Sequence, residues 1–177
     1  MRLLRLMIAL AIAVALLSSP TTTRAEAPKV KHWKITTSAV GPLQLGDSLR
    51  DLKRAGYTFY PCGGKSGGHP CYFKGKLGKV MGFDVDEHRK VKQLMVNARS
   101  GHGYAFATKS GVHVGSTVKT LKAKEHAAYL GNYGYGDAFA VHQGKHQWIT
   151  FFASGKKASS TIYSISVSTT KKPPQGR

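Results

Sequence analysis

The chain has 177 residues, of which 27 are Lys or Arg and 8 are Asp or Glu, for a formal charge of +19. That length suits one domain, or two small lobes on a shared core, and excludes most large enzyme architectures. A hydrophobic content of 41% is too high for a disordered basic tail.

Residues 1–25 read as a secretory signal. Arg2 and Arg5 form a basic start, and Leu6 to Leu17 is an unbroken apolar run of 12 residues ended by Ser18, Ser19 and Pro20. Such a run is shorter than the ~20 residues a bilayer crossing needs and fits a signal core. Cleavage is expected after Ala25, because cutting after Ala27 would leave Pro28 beside the scissile bond. The remaining 152 residues carry 24 basic against 8 acidic side chains, or +16. A secreted or periplasmic protein is expected, with no transmembrane segment after signal removal. Residues 26–38 read as a flexible N-terminal segment and 169–177, with Lys171, Lys172 and two prolines, as a flexible tail.

Residues 41–53 (GPLQLGDSLRDLK) align with 110–122 (SGVHVGSTVKTLK) at an offset of 69. Leu43, Leu45, Leu49 and Leu52 match Val112, Val114, Val118 and Leu121, and Gly46 matches Gly115. Ser48 and Thr117 each stand as an N-cap, and Asp51, three residues after Ser48, completes a capping box. The first helix should stop at Gly56, and the second should run to about Gly131. Strand-like alternation follows each helix, at Met81, Phe83 and Val85 then Val91, Leu94 and Val96, and at Ile149, Phe151 and Ala153 then Ile162, Ile165 and Val167. The fold class is therefore α+β, with repeats over 39–107 and 108–168. Two tandem helix-plus-antiparallel-meander units would share one continuous sheet with both helices on one face.

Cys62 and Cys71 are the two cysteines. In an exported chain a disulfide is the leading reading, closing a glycine-rich ring and contributing about 2–3 kcal/mol. A metal site with His69 as third ligand is the competing reading.

The G-P-L-x-L-G-x-S pattern, the cysteine pair, the two-stranded meander and the second G-V-x-V-G-S-T-V together resemble secreted bacterial tandem-repeat proteins of the β-lactamase-inhibitor-protein-like superfamily. They are also similar to the smaller single-unit lipoproteins of outer-membrane assembly. The resemblance spans about residues 40–168. It implies two helix-plus-sheet units whose concave sheet face or loops bind another macromolecule. It does not imply β-lactamase inhibition: the inhibitor pattern has a disulfide in each half, and this chain has two cysteines in all.

The two halves diverge at matching places. The Cys62–Cys71 ring falls opposite a glycine-tyrosine stretch, residues 131–140. Tyr129, Tyr133 and Tyr135 there are candidate binding residues, since tyrosines on a glycine loop offer contact area and a hydroxyl at low entropy cost. Arg50, Lys53 and Arg54 on the first helix and Lys119 and Lys122 on the second are candidate anion-binding residues. A charge of this size attracts anionic partners by fast, salt-sensitive steering. An acidic protein or a cell-envelope polyanion is the expected partner; export disfavours nucleic acid, and a monomer is expected.

Catalytic strings are weak. Gly64-Lys65-Ser66 lacks the first glycine of a phosphate loop, and Ser66 lacks the strand-to-helix elbow of a nucleophile. Asp84 and Asp86 on one strand face could pair for acid–base work, or simply shoulder a hairpin. Histidines 142 and 146, four apart in a strand and turn, do not converge on a metal, and His102 and His113 add no ligand set. No catalytic residue, metal or cofactor is expected. The two other readings are a small hydrolase of envelope polymers and a charge-driven envelope-binding or antimicrobial protein.

Overall fold

The computed structural model describes residues 32–62, 70–97, 106–142 and 146–169. The signal segment, Ser66 and His69, His102, and the tail beyond Thr169 lie outside the described residues.

The chain is α+β. Strands β1 (Trp33–Ile35), β2 (Ala39–Val40) and β3 (Leu43–Gln44) precede helix α1 (Leu49–Arg54), followed by β4 (Cys71–Tyr72) and α2 (Gly75–Gly78). Next come β5 (Met81–Val85), β6 (Val91–Asn97), β7 (Phe106–Thr108) and helix α3 (Val118–Glu125). Strands β8 (Ala128–Asn132), β9 (Asp137–His142), β10 (Gln147–Ala153) and β11 (Ile162–Thr169) complete the chain.

Both meanders enter one seven-stranded sheet, ordered β4-β5-β6-β11-β10-β9-β8, whose neighbours are all antiparallel. One face forms the core. Register places Cys71, Phe83, Leu94, Val167, Ile149 and Val141 in one row across it, and Met81, Val96, Ile165, Phe151 and Phe139 in the next. Leu49 and Leu52 of α1 and Val118 and Leu121 of α3 belong to the same buried cluster. Phe83, with no exposed surface, has ring neighbours Phe73 at 4.8 Å and Phe59 at 5.4 Å. Within this group burial, aided by the Asp47 charge, pushes the Tyr57 phenol up to about 12.

The helix caps form as their residue types dictate. Ser48 Oγ accepts from Asp51 N at 3.1 Å, and Asp51 Oδ2 accepts from Ser48 N at 3.2 Å, closing the capping box. Thr117 Oγ1 accepts from Thr120 N at 3.2 Å, but threonine at position 120 cannot close a box. The same backbone bonds tie each helix start to its hairpin. Gly46 N donates to Val91 O and Gly115 N to Ile162 O, both at 2.7 Å. Val91 N donates to Asp47 O at 2.8 Å and Ile162 N to Ser116 O at 2.9 Å. Gly46 and Gly115 have φ of 93° and 95°, a left-handed geometry that explains glycine at both positions.

Three expectations are corrected. First, the sheet is not the whole β structure: a second sheet, β3-β2-β1-β7, pairs β1 antiparallel with β2 and parallel with β7. Second, the segment read as flexible to residue 38 includes β1, whose Trp33 and Ile35 are buried. Trp33 packs edge-on against Phe106 at 5.7 Å. Third, α3 does not run to Gly131. His126 takes a left-handed conformation, φ 50°, and ends it, and the following residues pair with β9 as edge strand β8.

Cys62 and Cys71 are disulfide-bonded, with Cα atoms 4.6 Å apart. No helix among the described residues is long and apolar enough to cross a membrane.

Candidate functional site

Five of the carboxylates are held by local hydrogen bonds. Asp47 accepts from Gln44 N at 2.8 Å, Asp51 caps α1, and Asp86 accepts from Lys90 N at 2.8 Å in the β5–β6 turn. Glu125 accepts from the Ser110 hydroxyl, and Asp137 from the Tyr129 hydroxyl at 2.7 Å. Among the described residues the side-chain ion pairs are Arg54–Asp51 at 3.8 Å and His88–Glu87 at 3.6 Å, both exposed. Exposed pairs of this kind contribute little. The Ser48 hydroxyl and backbone N–H hold the Asp51 carboxyl below its usual range, with smaller help from Arg54 and Arg50.

The candidate binding residues of α1 converge with the β5–β6 hairpin. A cleft of about 630 Å³ is lined by Ser48, Arg50, Lys53, Arg54, His88 and Arg89, with Leu49 beneath. Backbone bonding draws the hairpin there: Leu49 N donates to Arg89 O at 3.3 Å, and Ser48 bridges Lys90. Arg89 sits at φ 59° at the turn, a conformation better suited to Gly, Asn or Asp. Arg89 and His88 complete the cleft; of its cations, the α1 residues alone were expected as binding residues, and no cleft was expected. Their signal was a basic turn directly preceding the strand that bonds to the α1 cap.

The second helix is not equivalent in charge. Val118 N donates to Ser160 O at 2.8 Å, so a serine holds the place that Arg89 has beside α1. Lys119 and Lys122 are exposed, and the Lys122 ammonium lies 5.5 Å from the centroid of the Phe139 ring. Lys53 similarly overlies Phe59 at 5.8 Å.

The tyrosine stretch is a hairpin between β8 and β9 rather than an open loop. Tyr133 N donates to Gly136 O at 2.8 Å, and Gly134 N to Asn132 Oδ1 at 2.8 Å. Tyr133 and Tyr135 lie 6.3 Å apart, and both rings pack against Phe152, at 5.8 and 6.0 Å. Tyr135 is 68% exposed, whereas Tyr133 is half-buried. Tyr129 lies on the edge strand with its hydroxyl held by Asp137, which raises its pKa. The Tyr129 ring therefore offers contact area, but its hydroxyl is engaged.

The sheet face opposite the core is small and polar. Register aligns Asp84, Gln93, Ser168, Trp148 and His142 in one row, and Gly82, Met95, Ser166, Thr150 and Ala140 in the next. The strand register shifts after Asp84, and Asp86 accepts from Lys90 N in the following turn. Asp84 Oδ1 is buried without a hydrogen-bond partner among the described residues, and burial raises its pKa against the pull of Lys92. Folding thus favours the protonated acid. Its stabilising contribution is complete below the ordinary value of 3.8 and is lost as pH rises through the higher folded value. Asp84→Asn is expected to raise the melting temperature at pH 7 by a few degrees, about 1 kcal/mol. The gain should vanish below about pH 3, as calorimetric melts at the two pH values would show.

No protein-family model matches the chain, and no curated protein matches it significantly. Among solved structures, it is similar to the crystal structure of a DUF4309 family protein, YjgB, from Bacillus subtilis. The identity is 13%, with 80% of this chain and 90% of that one covered, at a TM-score of 0.48.

Proposed function

We propose that the chain is an exported, non-catalytic binding module, inhibitor-like in construction, that recognises an anionic macromolecule: an acidic protein or a cell-envelope polyanion. In this reading residues 1–25 are removed on export, and the mature protein is secreted or periplasmic. The disulfide and the apolar run before Ser18 support that location. Residues 39–107 and 108–168 are two tandem units of one architecture. Supporting this are the matched caps at Ser48 and Thr117 and the paired bonds Gly46–Val91 and Gly115–Ile162. Specificity lies where the units differ, at the α1–hairpin cleft, the cross-linked segment and the tyrosine hairpin.

The observation that carries the proposal is the cleft of Arg50, Lys53, Arg54 and Arg89, where Asp51 is the near carboxylate and is itself engaged in capping α1, while Asp47, Asp86 and Asp137 are hydrogen-bonded in turns and a hairpin. Arg54 alone of these four is within ion-pair distance of an acid among the described residues, at 3.8 Å and exposed, with Arg50 exerting a weaker pull on the same Asp51. Cations left unneutralised and gathered in a concave site focus field on an anionic ligand. Calorimetric titration with poly-glutamate across ionic strength tests this. Binding should be measurable at low salt and weaken steeply through physiological salt, as attraction between exposed charges is screened. Absence of binding at low salt would remove the proposal.

A further inference from the structure

We propose that a second cleft, beside β4 and α2 at one end of the seven-stranded sheet, binds a glycan chain, with tyrosine rings as its stacking platforms. This goes beyond the anion-binding reading and does not depend on it. The cleft, about 1240 Å³, opens among β4, α2, β5, β6 and Tyr163 of β11, and is larger than a typical small-molecule site. Its size suits several linked rings.

The walls are aromatic and the rim is basic. Tyr60 and Tyr72 are 56% and 43% exposed, and both line the cleft. The Tyr72 ring lies over Gly82, close enough that a Cβ there would make ordinary contact with Cδ1 and Cε1 at 3.4 Å. An exposed ring seated on a strand offers a rigid surface on which the C–H face of a sugar can stack. Lys74 holds the Tyr60 ring from one side, at 5.3 Å. On the floor, Met95 adds apolar surface. Asn97 lines it too, with its Oδ1 accepting from the Ser164 hydroxyl at 2.8 Å. Lys76 and Lys79 stand at the rim, placed to meet acidic substituents.

An extended peptide is the other polymer that could fill such a cleft, and its usual route is to add a strand at a sheet edge. That route is closed. The outer side of β4 already bonds to the segment before the disulfide: Tyr60 N donates to Tyr72 O at 2.9 Å, and Lys74 N to Thr58 O at 2.8 Å. Recognition must come from side chains, and these are ring faces, an amide and ammonium groups, the chemistry that meets sugar rings bearing acidic groups.

The test uses calorimetric titration of the mature protein with chitohexaose, a neutral oligosaccharide, with a hyaluronan hexasaccharide, and with poly-glutamate. Both sugars should bind, and hyaluronan should lose its advantage at high salt. Tyr72→Ala should weaken both sugars about tenfold, the size expected for losing one buried contact. Poly-glutamate affinity should not change, and Tyr72→Trp should retain sugar binding. Because Tyr72 is exposed, an unchanged melting temperature separates a lost site from a lost fold. Failure of chitohexaose to bind the unmodified protein, or a loss below twofold in Tyr72→Ala, would overturn the proposal. Equal weakening of poly-glutamate by Tyr72→Ala would mark an acidic-peptide site and overturn it too. Reversing the α1 charges leaves chitohexaose binding intact, so failure of the anion-binding reading reads out separately.

Discussion

Reversing charge at three positions of the α1–hairpin cleft should lower affinity for poly-glutamate about 100-fold at low salt. The variant is Arg50→Glu with Lys53→Glu and Arg89→Asp. Each reversal removes one attraction and adds one repulsion, at about 1 kcal/mol per site for exposed groups, and about 3 kcal/mol is about two orders of magnitude. Aspartate is chosen at residue 89 because the backbone there has φ 59°, which a short polar side chain tolerates. All three side chains are exposed, so unfolding free energy should change by no more than about 0.5 kcal/mol. The control is Lys119→Glu with Lys122→Glu on α3. It should cost no more than about tenfold, since Ser160 there replaces the hairpin arginine. Equal losses in the two variants would show that the whole cationic surface binds, with no preferred cleft. That outcome would favour the charge-driven envelope-binding reading.

The largest stability loss should come from Phe83→Ala. Phe83 is fully buried on β5, opposite Cys71 on one side and Leu94 on the other, in ring contact with Phe59 and Phe73. Removing it leaves a cavity bounded by a disulfide-tied strand and a paired strand, neither of which can collapse freely into the space. The expected cost is about 3–5 kcal/mol, a large share of the roughly 5–15 kcal/mol that holds a domain folded. The Tyr57–Phe73 contact depends on the same cluster, so the loss should reach the segment after α1. Phe152→Ala, on the opposite and partly exposed face, should cost less than half as much. Urea unfolding midpoints measure both; a Phe83→Ala loss below 1.5 kcal/mol, the cost of a volume-conserving swap, would contradict this view of the core.

The elements that sequence could disclose are those whose causes are local. Ser48 and Asp51 stand three apart across the first turn that carries Leu49, and that spacing is itself the cap. The alternation of Ile149, Phe151 and Ala153 is the pleat of β10. What was not legible depends on contacts distant in sequence. Strand β1 has three residues and is held by parallel pairing with β7, Trp33 opposite Phe106, so nothing near Trp33 announces it. The end of α3 rests on His126 in a left-handed conformation, where a glycine would have given warning and a histidine does not. The tyrosines were visible as a group. Their packing on Phe152, and the bond from Tyr163 hydroxyl to Tyr135 O at 3.2 Å, were not. The basic cleft is the clearest case: α1 cations could be read from helical spacing, but Arg89 joins them through the Leu49–Arg89 backbone bond.

The charge of the chain is therefore best understood through its few acids. Asp47, Asp51, Asp86 and Asp137 serve turns, a cap and a hairpin, and the proposal is that their cationic neighbours meet an external partner. The most direct test is a ¹H–¹⁵N titration of the mature protein with poly-glutamate at low salt, followed residue by residue. Amide shifts should concentrate at residues 48–54 and 88–90, with weaker changes at 118–122. Shifts of equal size wherever lysines and arginines occur, or none at the α1–hairpin cleft, would contradict the account.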